Sequence, residues 1–154
     1  MTTKFITENK EYIVEFSKKP TLFNVGYNNI ITINFNNSIG LNIKSIKLTD
    51  IDIYKLIDTI EFAIAMNLDN STFINGIDNI SYIIQIYQEE NANFNIFEYN
   101  GTNSKIYFQI LEMKDVEHVI PILKFEITNT INEFLDILYE LYKDDTPKLL
   151  VSNS

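Results

Sequence analysis

The apolar positions of this chain alternate before they spiral. Tyr12-Ile13-Val14-Glu15-Phe16 is short and β-prone, and Lys18-Lys19-Pro20 closes it. Thr21 to Tyr27 reads as a second strand. Asn28-Asn29 then forms a tight turn, because asparagine tolerates positive φ. Ile31, Ile33 and Phe35 alternate with Thr32 and Asn34, the period of a half-buried strand, and Asn36 to Gly40 is a second turn. Leu41 and Ile43 share one parity while Ile46 and Leu48 take the other, which predicts a bulge or bend at Lys44-Ser45.

At Thr49 the period lengthens. Ile53, Leu56, Ile57, Ile60 and Ile64 fall on one helical face, with Thr49 or Asp50 as N-cap, which predicts a helix over about 52–66. Strand signals then return. Thr72-Phe73-Ile74 precedes a turn at Gly76, and Tyr82, Ile84 and Ile86 alternate while Ile83 and Tyr87 make the opposite face partly apolar. Glu89 to Asn93 is a polar turn before Phe94, Ile96 and Phe97. Asn100-Gly101 is a hairpin signal, and Ile106, Phe108 and Ile110 follow it. A short helical turn after Met113 is expected to break at Pro121. A long amphipathic helix over about 124–143 comes next, carried by Ile127, Ile131, Phe134, Leu135, Leu138, Leu141 and Tyr142.

Runs of strands closed by single helices predict an α+β fold with antiparallel sheet, in the order ββββα-β(β)ββα. No linker rich in Gly, Pro or Ser divides the chain, so 1–154 reads as one domain. Within it lie two similar successions of elements, 10–67 and 71–143, and a tail at 145–154. Two such strand-and-helix units resemble the element order of Whirly-type folds. That resemblance implies a single-stranded nucleic-acid binder whose aromatic strand faces stack bases.

Charge turns the expectation elsewhere. All 12 basic residues are lysine, so the bidentate guanidinium fork for phosphate or carboxylate is missing, and the net charge is −9. A nucleic-acid backbone or an anionic membrane is repelled on average, whereas a basic protein is attracted. Nucleic-acid binding would need a lysine cluster on one sheet face, drawn from Lys18, Lys19, Lys44 and Lys47. The abundance of Lys, Asn and Ile matches AT-rich codons and suggests a microbial or phage setting. The opening MTTKFITENKEY lacks the apolar core of a secretory signal, and the absence of cysteine fits a reducing compartment; both lead to a cytoplasmic expectation.

Catalytic ingredients are sparse. Without cysteine there is no thiol nucleophile, disulfide or thiolate metal site, and a single histidine rules out a two-histidine metal centre within one chain. His118, beside Asp115 and Glu117, reads as a surface histidine on a turn rather than a general base. Glu89-Glu90, Asp144-Asp145 and the Asp50/Asp52 pair lack the spacing of a calcium loop, and the four glycines are too scattered to cradle phosphate. Neither a cofactor nor a metal is expected.

Aromatic residues are the candidates for recognition. Phe97, Tyr99 and Tyr107 sit out of phase with the main apolar set, and with Glu89 and Glu90 they form the expected partner surface. The apolar residues on both faces of the second-half strands also suggest a homodimer. The expected function is that of a non-enzymatic acidic binding or inhibitory protein of immunity, anti-defence or decoy type, engaging a basic protein partner. Single-stranded nucleic-acid binding is the alternative.

Overall fold

A computed structural model describes residues 2–22, 28–66, 71–74, 81–90, 104–115 and 117–143. Its element order is β1 (Thr2–Ile6), β2 (Tyr12–Pro20), β3 (Asn29–Asn37), β4 (Asn42–Thr49), α1 (Asp50–Met66), β5 (Ser71–Ile74), β6 (Ser81–Glu90), β7 (Ser104–Met113), β8 (Val119–Glu126) and α2 (Ile131–Tyr142). The strands form two antiparallel sheets of four, ordered β1-β2-β3-β4 and β5-β6-β7-β8. The α+β class and the strand-helix order agree with the sequence pattern.

The core is a cluster of phenylalanines where the two sheets and α2 meet. Alternation sends Phe5, Phe16 and Phe35 from the first sheet, and Phe108 and Phe125 from the second, toward Phe134 on α2. Phe108 and Phe125, cross-strand partners, stack at 4.9 Å between centroids. Phe134 lies 5.3 Å from Phe5 and 5.5 Å from Phe108. Offset and edge-on aromatic contacts of this kind add to the burial of apolar area. From α1, Ile53, Leu56, Ile57 and Ile60 are buried as the helical period requires, whereas Ile64 is exposed.

Four readings of the pattern need correction. The first strand of the fold is Thr2–Ile6, an edge strand whose single buried apolar residue, Phe5, is too little for a periodic signal. Of the expected strand Thr21–Tyr27, Thr21 and Leu22 lie outside β2, with the Thr21 amide donating to the Asn28 carbonyl at 2.9 Å, and 23–27 lie outside the described residues. The stretch expected as a helical turn before Pro121 is the β7–β8 turn and the start of β8. The expected second helix opens instead on the end of β8, where Leu123 and Phe125 alternate inward, and on a turn at 127–130 before α2 begins at Ile131. Pro121 fits because β8 is an edge strand, and a bulge between Ile110 and Leu111 shifts the register opposite it. The bend expected at Lys44-Ser45 occurs one residue earlier. Phe35 pairs with Lys44 but Asn36 pairs with Asn42, so Ile43 is the extra residue. The expectations for 94–97, the Asn100-Gly101 hairpin, the Gly76 turn and the 145–154 tail lie outside the described residues.

Helix α1 starts on a reciprocal cap. The Asp52 amide donates to Thr49 Oγ1 at 3.0 Å, and the Thr49 amide donates to Asp52 Oδ2 at 2.9 Å, both within buried side chains. Thr49→Ala leaves a buried amide without its acceptor and is expected to cost about 1 kcal/mol. Chemical denaturation checks it: Thr49→Ser should stay near the parent, and an unchanged midpoint for Thr49→Ala would contradict the cap.

The two ends of α2 are held by the first sheet. Its N-terminus has no local side-chain cap. Glu8, in the β1–β2 turn, accepts instead from the Asn129 amide at 2.9 Å and the Thr130 hydroxyl at 3.3 Å. At the other end Lys18, on the inward face of β2, donates from Nζ to the Lys143 carbonyl at 2.5 Å and is buried. An acid at the N-terminus and a base at the C-terminus both complement the helix dipole.

Candidate binding surface

Of the residues expected to form the partner surface, Tyr107 is the one whose side chain is described. It is half-buried on β7, on the face opposite Phe108, with Lys124 Nζ 4.3 Å from its ring centroid. Beside it Gln109 Nε2 donates to Gln85 Oε1 at 3.0 Å across the β6–β7 ladder. Glu89 and Glu90 end β6, paired in register with Lys105 and Ser104. Phe97 and Tyr99 lie outside the described residues, so Tyr107 and this strand end are what the structure brings together of that surface.

The lysines that a nucleic-acid face would require are divided. Lys18 is buried against the end of α2. Lys44 lies 4.9 Å from the Tyr82 ring centroid and 4.0 Å from the Glu112 carboxylate. Lys19 and Lys47 alone among the four point to the outer face of the first sheet, where they share it with Ile13, Glu15 and Ile30 and with the hydroxyls and amides of Ser17, Thr32, Asn34, Asn36 and Ser45. On that face Ser45 donates to Asn34 and to Asn42, while Asn36 links Asn42 to Glu15.

His118 is exposed on the β7–β8 turn, its Nδ1 2.7 and 2.8 Å from the two oxygens of Asp115. The ring hydrogen bond holds the Asp115 carboxyl below its ordinary value, helped by the Glu117 amide. No nucleophile lies in contact with this pair among the described residues, and among them no three His, Asp or Glu residues gather to hold a metal. The pair tightens a turn.

A stronger surface lies on the helices, outside the expected set. Tyr54, Phe62, Tyr139 and Tyr142 are 53%, 51%, 47% and 43% exposed, high values for large aromatic side chains in ordered helices. They are arranged, not scattered. Tyr54 of α1 and Tyr142 of α2 meet at 5.5 Å between centroids and 40° between planes, and the Tyr139 hydroxyl donates to the Glu61 carboxylate across the same seam. Helical spacing puts Asp58 and Glu61 beside Tyr54, and Asp136 one turn before Tyr139, with Lys55 and Lys143 the nearest cations in sequence. The far flank of α2 opens into a groove of about 430 Å³ against β1, lined by Thr3, Lys4, Glu133, Asp136, Ile137 and Glu140. The seam was hidden in the sequence because Tyr142 extends the apolar stripe of α2, so it reads as core. Which ring stays outside depends on how α1 and α2 pack.

No protein-family model matches this chain, and no curated protein matches it. Among solved structures, the plant transcriptional regulator PBF-2 aligns over 99% of this chain and 94% of its own, with 7% identity and a TM-score of 0.49. Among the described residues no helix is long and apolar enough to cross a membrane.

Proposed function

We propose that this chain is a non-enzymatic acidic binding protein that engages a basic protein partner, of inhibitory, immunity or decoy type, in the cytoplasm. The observation that carries the reading is the helix seam. Exposed rings anchored between two packed helices stand among carboxylates, in a chain of net charge −9. Rings supply desolvated contact area, and the surrounding field steers a cation toward them. Affinity capture from the organism of origin, at low and high ionic strength, tests it. The expected result is a basic protein held at low salt and released at high salt, since the screening length falls from about 30 Å at 0.01 M to about 3 Å at 1 M. Recovery of single-stranded nucleic acid without any basic protein would reject it.

A second reading, single-stranded nucleic-acid binding, draws support from two features: the ββββα-ββββα order, which resembles Whirly-type folds, and the Tyr107–Lys124 contact on an outer strand face. Against it stand the divided lysines. Titration with a labelled single-stranded oligonucleotide separates the two readings, because base stacking at Tyr107 makes that affinity sensitive to Tyr107→Ala.

A further inference from the structure

We infer that the outward face of the α1–α2 pair receives an arginine-bearing segment of the partner, a conclusion that rests on the proposed function and places it on named residues. The face already has an order of its own. The Tyr54–Tyr142 contact and the Tyr139–Glu61 hydrogen bond fix the rings before anything docks, so little side-chain entropy remains to be lost on binding.

Charge selects the occupant. The exposed charged residues of the two helices are Asp58, Glu61, Glu133, Asp136 and Glu140 against Lys55 and Lys143; Asp58 and Glu61 flank the seam on α1, and the three acids of α2 continue from it into the groove against β1. A second copy of this chain would bring an equally acidic face to this one, and a phosphate backbone or an anionic bilayer would be repelled in the same way. A cationic segment is the complementary occupant. Within that class, arginine suits the seam better than lysine. A guanidinium lies flat on a tyrosine ring and directs its fork at a neighbouring carboxylate, and the seam offers ring and carboxylate side by side at Tyr139 and Glu61. An ammonium is a more strongly hydrated point charge that stacks less well. The chain contributes no guanidinium itself, so an internal arginine cannot fill the place.

The test uses the full chain and two fluorescent peptides, one of alternating Arg and Ala and one of alternating Lys and Ala, titrated by anisotropy. The arginine peptide is expected to bind about tenfold more tightly than the lysine peptide. Tyr139→Ala and Tyr54→Ala, both at exposed rings, are each expected to lose about tenfold in that affinity, with thermal midpoints near the parent's. Asp136→Lys, one turn before Tyr139 on α2, should weaken binding and flatten its salt dependence, whereas Tyr107→Ala on the second sheet should change nothing. Equal affinity for both peptides, or insensitivity to Tyr54, Tyr139 and Asp136, overturns the inference. If the captured basic protein still binds those variants as tightly as the parent, the proposed function stands and this location for it falls. If neither peptide binds and no basic protein is captured, both fall. Sedimentation showing a dimer that Tyr139→Ala dissociates would make a second copy the occupant and overturn it as well.

Discussion

Phe134→Ala is expected to cost about 3–5 kcal/mol, a large share of the roughly 5–15 kcal/mol that holds a domain folded. Phe134 is buried, and its ring lies 5.3 Å from Phe5, 6.1 Å from Phe16, 5.5 Å from Phe108 and 6.4 Å from Phe125. Those four rings belong to both sheets and are held by strand ladders. Removing the central ring therefore leaves a cavity whose walls cannot close without slipping a ladder. The whole fold should feel the change, because this contact joins the first sheet, the second sheet and α2. Urea denaturation checks it: the midpoint should fall steeply with the slope preserved, and Phe134→Leu should recover part of the loss. A loss below about 1 kcal/mol would show that the cluster repacks and that the sheets are joined elsewhere.

This cluster was legible in the sequence as a set of inward positions, though not as one site. Val14 and Phe16, then Ile31, Ile33 and Phe35, then Tyr82, Ile84 and Ile86, and last Ile106, Phe108 and Ile110 recur at period two, and the structure buries them, Ile106 partly. Both helices were visible because the period changes where α1 begins and where α2 carries its Phe134, Leu138 and Leu141 stripe. β1 and β8 were not legible. In β1 one inward phenylalanine cannot set a period. In β8, Pro121 signals a break to any local reading, and only the position of the strand at a sheet edge makes it acceptable. The candidate surface was harder still. Pattern distinguishes inside from outside along one element, whereas the tyrosine seam arises from where two elements meet. The outward place of Tyr107 was legible because parity alone gives it; the exposure of Tyr54 and Tyr139 needed the packing of α1 on α2.

The same limit hid Lys18, which binary patterning scores as a break, and its removal is expected to have the second-largest effect. Lys18 follows Val14 and Phe16 on the inward face of β2, so its stem runs through the core and its ammonium meets the Lys143 carbonyl just past α2. Charge-assisted hydrogen bonds of this kind contribute about 1.5–3 kcal/mol, and a cation at a helix C-terminus adds a favourable dipole interaction. Lys18→Met keeps the apolar stem but removes the donor and leaves the terminal carbonyls of α2 facing a thioether. The expected loss is about 1.5–3 kcal/mol by urea denaturation. The opposite end of α2 supplies the control. Glu8→Gln weakens the acceptor for Asn129 and Thr130 at an exposed site, so its cost should be smaller, about 0.3–1 kcal/mol. Because the two sites lie at opposite ends of one helix with no shared partner, their effects should add. Hydrogen exchange on α2 tells a clamp from a general contribution: Lys18→Met should speed exchange in the last turn, around Leu138 to Tyr142, more than in α1. Uniform acceleration across both helices would mean that Lys18 stabilises the whole core instead of holding this helix in place.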